Sequence, residues 1–590
     1  MLLESSRFEG STSHSYFFFD PSTILAIDTM DEVPKLFADA ERLLADGFYL
    51  AGYVGYECGY YFEPTLRGLR PFPTYPMAWL GAYRQPMVFD HSTGAFDPPL
   101  EVGSDKIKKE FKISDCSLQI SETEYSAKIA RIRTYIEEGD TYQVNFTDKY
   151  SFRFEGSPVE CFSALRQKQR VGYSAYVDAG GKQFLSFSPE LFFKIKGNTV
   201  TTKPMKGTAR RGKNSSDDAA IARFLQNDEK NRSENLMILD LLRNDIGRVA
   251  KTGSVSVRDM YEVERYETLF QMTSTVDGTI KDGLSLYDVF GSLFPSGSVT
   301  GAPKIHTMQI IHELESKPRG IYTGAIGFFS PSKEAVFNVA IRTLVIDGNQ
   351  GEMGVGSGIV FDSDAKQEFE ECKLKAEFLT SPIEEFSLIE TILWEKGYPL
   401  LKYHLDRLRD SADYFGFPYD EHKILKELKT TEFSLSASSR HRVRLLLNNE
   451  GEMNIQRQLV NSPSSSAKII LSPQRTSSLN RFLYHKTTKR VLYESELKKA
   501  SHAGFEDVIF RNERDEVTEG AISNIFVERA GKLFTPPIEC GLLAGVYRRK
   551  ILEENPRASE HKLTLEDLLN ADAIYICNAL RGFRKVAFTA

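Results

Sequence analysis

The chain has 590 residues, of which 41% are hydrophobic and 26% are charged, and its formal net charge at pH 7 is −7. This length exceeds one ordinary domain, so we expect at least two folded units with cores of their own. The sequence contains no long run of single-sign charge and no run of roughly eighteen apolar residues, which argues against nucleic-acid and membrane partners.

In chain order, EYSAKIARIRTYIEEG (124–139) predicts a helix, and FLSFSPELFFKI (184–195) and GAIGFF (324–329) predict strands. These elements alternate without a regular βαβ rhythm, which favours an α+β fold. A helix is predicted over 364–379, and TSPIEE (380–385) ends it. We therefore predict a first domain over 1–380 and a second over 381–590.

The second domain is predicted to be mixed α/β with two small lobes. HRVRLLLNN (441–449), AKIILS (467–472) and SNIFVE (523–528) indicate strands, and helices are expected near 404–415 and 485–500. The six cysteines are widely scattered, with no spacing typical of a zinc site or a disulfide framework. No secretory signal is recognisable at MLLESSRFEG, so we expect a cytoplasmic protein.

Candidate groups for a small, doubly anionic substrate lie between residues 337 and 363. Arg342 falls in FNVAIRTL, a run predicted as a strand, and GVGSGIVFDS (354–363) follows with three glycines. A guanidinium and bare backbone N–H groups can bind carboxylates. Taken alone, an arginine in a strand more often forms a surface salt bridge, and a G-x-G-x-G run is usually a tight turn.

Two glutamates on predicted helices are candidate metal ligands. Glu234 opens ENLMILDLLRND, and Glu371 lies in EFEECKLKA. Mg²⁺ accepts one or two protein carboxylates while substrate and water complete its shell. The alternative is a solvated glutamate in an i,i+4 pair, such as Glu371 with Lys375.

The motifs of the first domain together carry a specific resemblance. They are GDTYQVNFT (139–147), SFSPELFF (186–193), PMKGTARRG (204–212), ENLMILDLLRNDIGRV (234–249), FPSGSVTGAPK (294–304) and RGIYTGAIGF (319–328), followed by Arg342 and GVGSGIVFDS. In this order they resemble the chorismate-utilising enzymes, which include anthranilate, aminodeoxychorismate, isochorismate and salicylate synthases. The resemblance covers roughly residues 10–380 and implies a β-sandwich core with surrounding helices.

The resemblance implies a role for each matched residue. Glu234 and Glu371 would bind Mg²⁺, and Glu190 would be a buried acid that assists proton transfer at the substrate ring. SPEL read alone indicates a turn with an exposed glutamate. The positions that match the family's contacts to chorismate are Ser298, Tyr322, Arg342, Gly356 and Gly358.

Lys206 marks a branch of this family. PMKGT resembles aminodeoxychorismate synthases, whereas anthranilate synthases have alanine at this position. A desolvated lysine could attack ring C2 and form a covalent intermediate that ammonia then displaces at C4; the alternative is a solvated lysine. Gln271 stands where many members have histidine and cannot act as an acid or base near neutral pH. An anthranilate synthase remains the alternative.

The chain contains no recognisable glutaminase cysteine and histidine pair. Ammonia for amination commonly comes from glutamine, so we expect a separate glutamine amidotransferase subunit as a partner. Free ammonium is expected to substitute for it.

The C-terminal motifs resemble fold-type IV pyridoxal-phosphate (PLP) enzymes, which include aminotransferases and aminodeoxychorismate lyase. The motifs are HLDRLRDSADYFGF (404–417), FLYHKTTKRVLYE (482–494), DEVTEGAISNIFV (515–527), TPPIECGLLAGVYR (535–548) and YICNALRGF (575–583). The resemblance implies that Lys486 forms the Schiff base and that Glu519 keeps the pyridine nitrogen protonated. Positions that match phosphate contacts are Arg407, Gly545, Val546, Asn578 and Ala579.

The fusion suggests how the two domains divide the work. The first would convert chorismate and ammonia to 4-amino-4-deoxychorismate, and the second would eliminate pyruvate to give p-aminobenzoate for folate biosynthesis. An amino-acid aminotransferase or an inactive PLP domain remains the alternative for the second. By analogy with fold-type IV enzymes, a homodimer through the PLP domain is expected.

Overall fold

A computed structural model describes residues 1–5, 14–69, 75–99, 110–267, 269–381, 385–433, 435, 439–460 and 467–589. The chain divides into two compact units. The first comprises Met1–Arg210 and Ala222–Ile383, and the second comprises Arg211–Ile221 and Glu384–Ala590. Residues 382–384 of the predicted junction lie outside the described residues, and the predicted domain boundaries remain a prediction.

The first stretch of the chain, through residue 380, alternates strands and helices. Its strands are β1 (Leu2–Glu4), β2 (His14–Phe17), β3 (Thr23–Ile27), β4 (Tyr49–Val54), β5 (Ala78–Tyr83), β6 (Met87–Asp90), β7 (Ala95–Asp97), β8 (Phe111–Leu118), β9 (Gln143–Gly156), β10 (Tyr173–Asp178), β11 (Lys182–Ser188), β12 (Leu191–Lys196), β13 (Thr199–Lys203), β14 (Met205–Arg210), β15 (Ser256–Arg265), β16 (Leu269–Thr279), β17 (Gly301–Ala302), β18 (Ala325–Phe329), β19 (Ala335–Val339), β20 (Thr343–Asp347) and β21 (Gln350–Ile359). Its helices are α1 (Val33–Ala45), α2 (Gly59–Phe62), α3 (Glu122–Glu137), α4 (Pro158–Lys168), α5 (Ser215–Asn227), α6 (Glu229–Val249), α7 (Leu286–Leu293), α8 (Lys304–Leu314) and α9 (Ala365–Thr380).

The strands of the first unit form two large sheets. One has the order β17-β9-β21-β20-β11-β10-β1-β2-β6-β7, with β8 on β9, and the other has the order β14-β16-β13-β12-β19-β18-β4-β5-β3, with β15 on β16. A buried apolar cluster contains residues of both sheets: Tyr53 of β4 contacts Phe184 of β11, with ring centroids 4.7 Å apart. The sheets therefore pack face to face.

Helices cover the outer faces of this sandwich. Leu36 and Phe37 of α1 and Phe290 of α7 belong to the core of one outer face. Ile129 of α3 and Phe369 of α9 belong to the core of the other. The predicted α+β class with a β-sandwich and surrounding helices is confirmed.

The second unit contains two sheets with their own helices. Its strands are β22 (Leu388–Trp394), β23 (His441–Leu447), β24 (Met453–Leu459), β25 (Lys468–Thr476), β26 (Asp507–Asn512), β27 (Val517–Gly520), β28 (Asn524–Arg529), β29 (Lys532–Thr535), β30 (Ala558–Glu560), β31 (Ala573–Asn578) and β32 (Gly582–Thr589). Its helices are α10 (Leu401–Phe415), α11 (Glu421–Glu432), α12 (Val491–His502), α13 (Val546–Glu554) and α14 (Leu565–Leu569).

Each sheet of the second unit has a core of its own. The smaller sheet has the order β22-β23-β24 and packs against α10 and α11. The larger sheet has the order β27-β26-β25-β32-β31-β28-β29-β30. The predicted two-lobed α/β domain is confirmed. Within the residues that the structure describes, no helix is both long enough and apolar enough to cross a membrane.

One local prediction was wrong, one alternative does not hold, and one predicted helix begins later than expected. Arg342 does not lie in a strand but in a bend between β19 and β20, with φ 49°. GVGSGI is the end of strand β21 rather than a tight turn. The helix expected from residue 485 begins only at Val491, so Lys486 lies in the irregular segment before α12. Periodicity could not separate these cases because sheet pairing with distant strands decides them.

Candidate functional sites

Lys206 lies on β14, which pairs with β16 in antiparallel register. On β16, the Gln271 side chain donates from Nε2 to the Gly207 carbonyl over 3.2 Å and accepts from Thr208 Oγ1 over 3.1 Å. Gly207 has φ 81°, a conformation that favours glycine. Gln271, which stands at the family's usual histidine position, therefore holds the backbone of β14 next to Lys206.

Glu190 is a buried acid between β11 and β12, with 4% of its surface exposed. Ser298, in a short 3₁₀ turn (Gly297–Val299), donates from Oγ to Glu190 Oε1 over 2.5 Å. Burial raises the pKa of Glu190 to about 7, although the Ser298 hydrogen bond and the Lys206 charge oppose the shift. The exposed glutamate indicated by SPEL alone is wrong, and the buried acid implied by the family is present.

The Lys206 amine lies in the same electrostatic environment. Burial lowers its pKa, and the nearby Glu190 carboxylate opposes that shift. Glu234 and Glu371 also act on this amine, so the two predicted metal ligands lie near Lys206. The structure thus brings together the acid, the lysine and both carboxylates.

The glycines of β21 allow close approach on the neighbouring side. Gly356 and Gly358 pair with β9, where an added Cβ at Gly356 would lie 2.5 Å from the Phe146 carbonyl oxygen. An added Cβ at Gly358 would lie 2.1 Å from Gln143 Nε2 and 3.4 Å from the Lys206 amine. An alanine methyl group at this position would therefore displace the end of the Gln143 side chain and contact the Lys206 amine.

Tyr322 packs against the same strand. Its ring fills the space that a side chain at Gly354 would occupy, because an added Cβ there would lie 2.1 Å from the ring. Tyr322 is buried. Arg342 stands apart: among the described residues, its guanidinium donates to Gln169 Oε1 over 2.6 Å rather than to this cluster.

The two predicted metal ligands lie on different helices, Glu234 on α6 and Glu371 on α9. Burial raises the pKa of Glu234, and Glu368 and Glu371 raise it further by repulsion. Carboxylates that repel one another fit a divalent cation. Glu371 also forms the predicted i,i+4 ion pair with Lys375 at 2.7 Å, so both interpretations of its spacing have support.

Lys375 is a site residue that the sequence analysis treated only as a partner of Glu371. Its amine donates to the Gly356 carbonyl over 2.8 Å, and its charge helps to lower the pKa of Lys206 after the larger effect of burial. The i,i+4 spacing was the available signal. It could not show that α9 faces β21.

In the second unit, Lys486 and Glu519 form a matched pair. Burial lowers the pKa of Lys486 to about 7, with Arg490 and Arg407 adding to the shift. Glu519 is 5% exposed, and burial raises its pKa to about 7. Its carboxylate accepts from Tyr493 Oη and the Leu543 N–H, each over 3.1 Å. Each group acts on the pKa of the other, so they lie near one another.

Arg407 is fixed by a buried carboxylate. It donates through Nε and Nη2 to the two oxygens of Glu390, over 2.9 and 2.7 Å. Burial alone would raise the pKa of Glu390, but Arg407 and His404 lower it to about 2. Arg407 Nη1 also lies 3.4 Å from the Ala544 carbonyl, next to the start of α13.

The start of α13 and a nearby turn provide backbone groups. Gly545 is the N-cap and Val546 the first residue of α13, and an added Cβ at Gly545 would lie 1.8 Å from Asn524 Oδ1. Asn578 ends β31 and Ala579 begins the turn that follows it, and Asn578 Oδ1 accepts from the Arg581 N–H over 2.9 Å. A helix N-terminus beside an arginine suits a phosphate. These residues fit PLP.

The fold and the two residue clusters define a protein of two units, each with a candidate site of its own. The family model described as chorismate binding enzyme matches residues 11–381, and the model for amino-transferase class IV matches residues 387–587. The chain belongs to the chorismate binding enzyme family and carries a class IV aminotransferase domain at its C-terminal end. The resemblance identified from the motifs is confirmed.

Individual relatives are similar to the first domain. Anthranilate synthase component 1 1 of Haloarcula marismortui is 39% identical over 289 residues, 49% of this chain and 57% of that protein. Aminodeoxychorismate synthase component 1 of Bacillus subtilis is 40% identical over 256 residues, 43% of this chain and 54% of that protein. The chain spans about half the length of these curated relatives.

A solved structure supports the fold of the first unit. The anthranilate synthase component I of Streptococcus pneumoniae TIGR4 aligns with a TM-score of 0.55 at 26% identity, covering 63% of this chain and 93% of that one. The two kinds of synthase are equally similar in sequence, so similarity alone does not choose between their reactions.

Proposed function

We propose that this protein converts chorismate and ammonia to 4-amino-4-deoxychorismate at its first site and eliminates pyruvate from that product at its second, releasing p-aminobenzoate. The observation that carries the first half is Lys206, a partly buried amine of lowered pKa beside a buried acid. Alanine, which anthranilate synthases have there, offers no nucleophile.

In the first reaction the neutral Lys206 amine attacks ring C2 of chorismate. The ring double bonds shift and the C4 hydroxyl departs as water, with a proton that Glu190 would supply. Ammonia then forms a bond to C4, the double bonds shift back, and the bond from Lys206 to C2 breaks. Mg²⁺, held by Glu234 and Glu371, would offset the negative charge of a substrate carboxylate.

Gln271 supports a reaction that stops after amination. Its amide neither gains nor loses a proton near neutral pH, and it is hydrogen-bonded to Gly207 and Thr208. Formation of anthranilate requires elimination of pyruvate at the same site. The first unit would leave that step to the second.

In the second reaction PLP would act as an electron sink for the carbon next to the substrate nitrogen. Lys486, with a pKa of about 7, is suited to remove the C4 proton as a free amine near neutral pH. Electrons then expel pyruvate from C3 and the ring becomes aromatic. Glu519 and Arg407 would orient the cofactor at its two ends.

Ammonia would come from a separate glutamine amidotransferase subunit. The curated relatives include proteins named component 1 of a synthase, which supports a second component. High ammonium concentrations should replace that subunit in vitro.

Product analysis tests this function. The full chain, incubated with chorismate, ammonium, Mg²⁺ and PLP, should release p-aminobenzoate and pyruvate in equal amounts. Lys206→Ala should abolish chorismate consumption, whereas Lys486→Ala should accumulate the aminated intermediate. Fluorescent anthranilate as the product would refute the first half, and pyruvate-free accumulation of the intermediate by the PLP-loaded wild type would refute the second.

A further inference from the structure

Arg319 is a buried charged residue that none of the predicted roles includes. Only 3% of it is exposed. Its Nε and Nη2 atoms donate to the two oxygens of Glu315, over 2.8 and 2.7 Å. Because both residues are buried, this is a bidentate ion pair shielded from water.

The remaining donors of the guanidinium reach two segments that carry predicted substrate residues. Nη1 donates to the Val299 carbonyl over 2.8 Å, and Val299 follows Ser298. Nη1 also donates to Thr323 Oγ1 over 3.2 Å, and Thr323 follows Tyr322. One nitrogen atom therefore links the two turns that present Ser298 and Tyr322.

The glycine strand is tied to the same ion pair through β9. Arg319 Nη2 donates to the Asn145 carbonyl over 2.6 Å, and Asn145 lies opposite Gly358. Glu315 Oε1 accepts from the N–H and the hydroxyl of Thr147, both over 2.9 Å. Thr147 lies opposite Gly356 on β21.

The Arg319 backbone is also held from the far side. The buried Glu57 carboxylate accepts from the Arg319 N–H over 2.6 Å and from the Gly320 N–H over 3.0 Å. The ring of Tyr56 lies 4.4 Å from the guanidinium carbon. Movement of the arginine would therefore disturb several segments together.

Stability alone gives no reason for this arrangement. A buried ion pair is often no more stabilising than an apolar pair of similar volume. A planar fork with five donors in fixed directions is, however, suited to holding several acceptors at set distances. Apart from Glu315, each acceptor of the Arg319 guanidinium is adjacent in sequence, or opposite in the sheet, to Ser298, Tyr322 or Gly358. Thr147, which donates to Glu315, lies opposite Gly356.

We propose that Arg319, paired with Glu315, is a positioning residue that sets the Ser298 turn, the Tyr322 turn and the glycine strand relative to one another for substrate binding. The inference rests on the proposed function of the first site. It adds a residue that touches no substrate yet governs the geometry of four substrate-side positions.

Arg319→Lys keeps the positive charge and removes the fork. In the full chain with ammonium and Mg²⁺, the KM for chorismate should rise by roughly tenfold to a hundredfold, because small displacements of binding groups are costly. The KM for ammonium and the amount of PLP bound should not change. Arg548→Lys is the matched control, since Arg548 is also 3% exposed and donates to the Pro536 carbonyl in the second unit.

A double-mutant cycle separates positioning from general loss of stability. If Arg319 acts through Ser298, then Ser298→Ala should cost much less in the Arg319→Lys background than in the wild type. The proposal would be overturned if Ser298→Ala raised the chorismate KM by the same factor in the Arg319→Lys background as in the wild type. Equal rises in that KM for Arg319→Lys and Arg548→Lys would also overturn it.

Thr323→Val provides the test if Arg319→Lys does not fold. It removes one acceptor of the guanidinium with little change in volume, and it should raise the chorismate KM by about twofold to tenfold. An unchanged KM in this folded variant would overturn the proposal. A wild-type protein that does not consume chorismate would instead refute the proposed function, which distinguishes the two failures.

Discussion

Replacing Glu190 with glutamine should stabilise the protein above pH 7 while it removes the acid from the first site. Glu190 is buried, and burial raises its pKa from 4.5 to about 7. Glutamine keeps an oxygen that can accept the hydroxyl of Ser298 and carries no charge at any pH. The variant therefore isolates the cost of burying the carboxylate.

The size of the effect follows from the shift in pKa. Below pH 4.5 the carboxyl is protonated in the folded and the unfolded chain, so its burial carries no ionisation cost. Between pH 4.5 and about 7 the unfolded chain releases the proton while the folded chain retains it, so the free energy of unfolding falls as pH rises. Above that window, the free energy of unfolding of the wild type is ~3 kcal/mol lower than that of a chain with a neutral side chain at this position.

Tryptophan fluorescence can report on the first unit alone. The chain has two tryptophans, Trp79 in β5 and Trp394 in β22, so a Trp394→Phe background leaves one probe in the first unit. In urea unfolding, the stability gain of Glu190→Gln should grow from ~1 kcal/mol near pH 5.5 to ~3 kcal/mol above pH 7.5. Glu137→Gln, at an exposed carboxylate in α3, is the control.

The same variant should lose activity while it gains stability. Removal of a general acid typically costs roughly a hundredfold to ten-thousandfold in rate, so chorismate consumption should fall by that factor. The reasoning would be refuted if Glu190→Gln differed in stability from the wild type by the same amount at all pH values, or if it were less stable at pH 8. Either result would mean that burial does not penalise the ionised Glu190 carboxylate.

Three further predictions concern other groups of the two sites. Because burial lowers the pKa of Lys486 to about 7, the rate of PLP uptake by the apoprotein should rise with pH and level off above about pH 7. Stopped-flow absorbance measures this rate, and a rate that kept rising to pH 10 would contradict the lowered pKa. Glu390→Gln should weaken PLP binding by about tenfold to a hundredfold in a cofactor titration, since it removes the charged partner of Arg407, and unaltered affinity would contradict the role of that pair. Gly358→Ala should lower chorismate turnover with PLP uptake intact, because its methyl group would displace the end of the Gln143 side chain and contact the Lys206 amine; normal turnover would contradict the crowding inferred at this position.

Hydrophobic periodicity predicted the helices of the first candidate site well and its irregular segments poorly. The helix expected over 364–379 is α9, and Glu234 and Glu371 lie on helices as predicted. In each case several turns of periodic sequence carry the signal. Arg342 was placed in a strand because its neighbours are apolar, yet it occupies a bend with positive φ. A single residue whose backbone conformation differs from that of its neighbours does not change the hydrophobic periodicity of the sequence.

Residues that act through distant partners were beyond the reach of the sequence. The buried Glu190 accepts a hydrogen bond from Ser298, which lies more than a hundred positions later in the chain. The Arg319 guanidinium donates to acceptors in three segments, and only one of these acceptors, Thr323, lies within RGIYTG itself. Lys375 was visible only as the partner of Glu371 on one helix face. The family resemblance located Glu190, and tertiary packing alone locates Arg319.

The opposed pKa shifts of the buried groups give the two sites a common chemical logic. A solvated lysine and glutamate at pH 7 form an ion pair in which the amine is no nucleophile and the carboxylate no acid. Burial changes both together, since it lowers the pKa of Lys206 and raises that of Glu190 to about 7. Both shifts favour the neutral forms, so the neutral fraction of the amine and the protonated fraction of the acid at pH 7 both increase. Lys486 and Glu519, both with pKa values of about 7, repeat the arrangement in the second unit. There, a bound pyridinium would return the carboxylate to its charged form, so the same burial that poises the apoprotein also favours cofactor uptake.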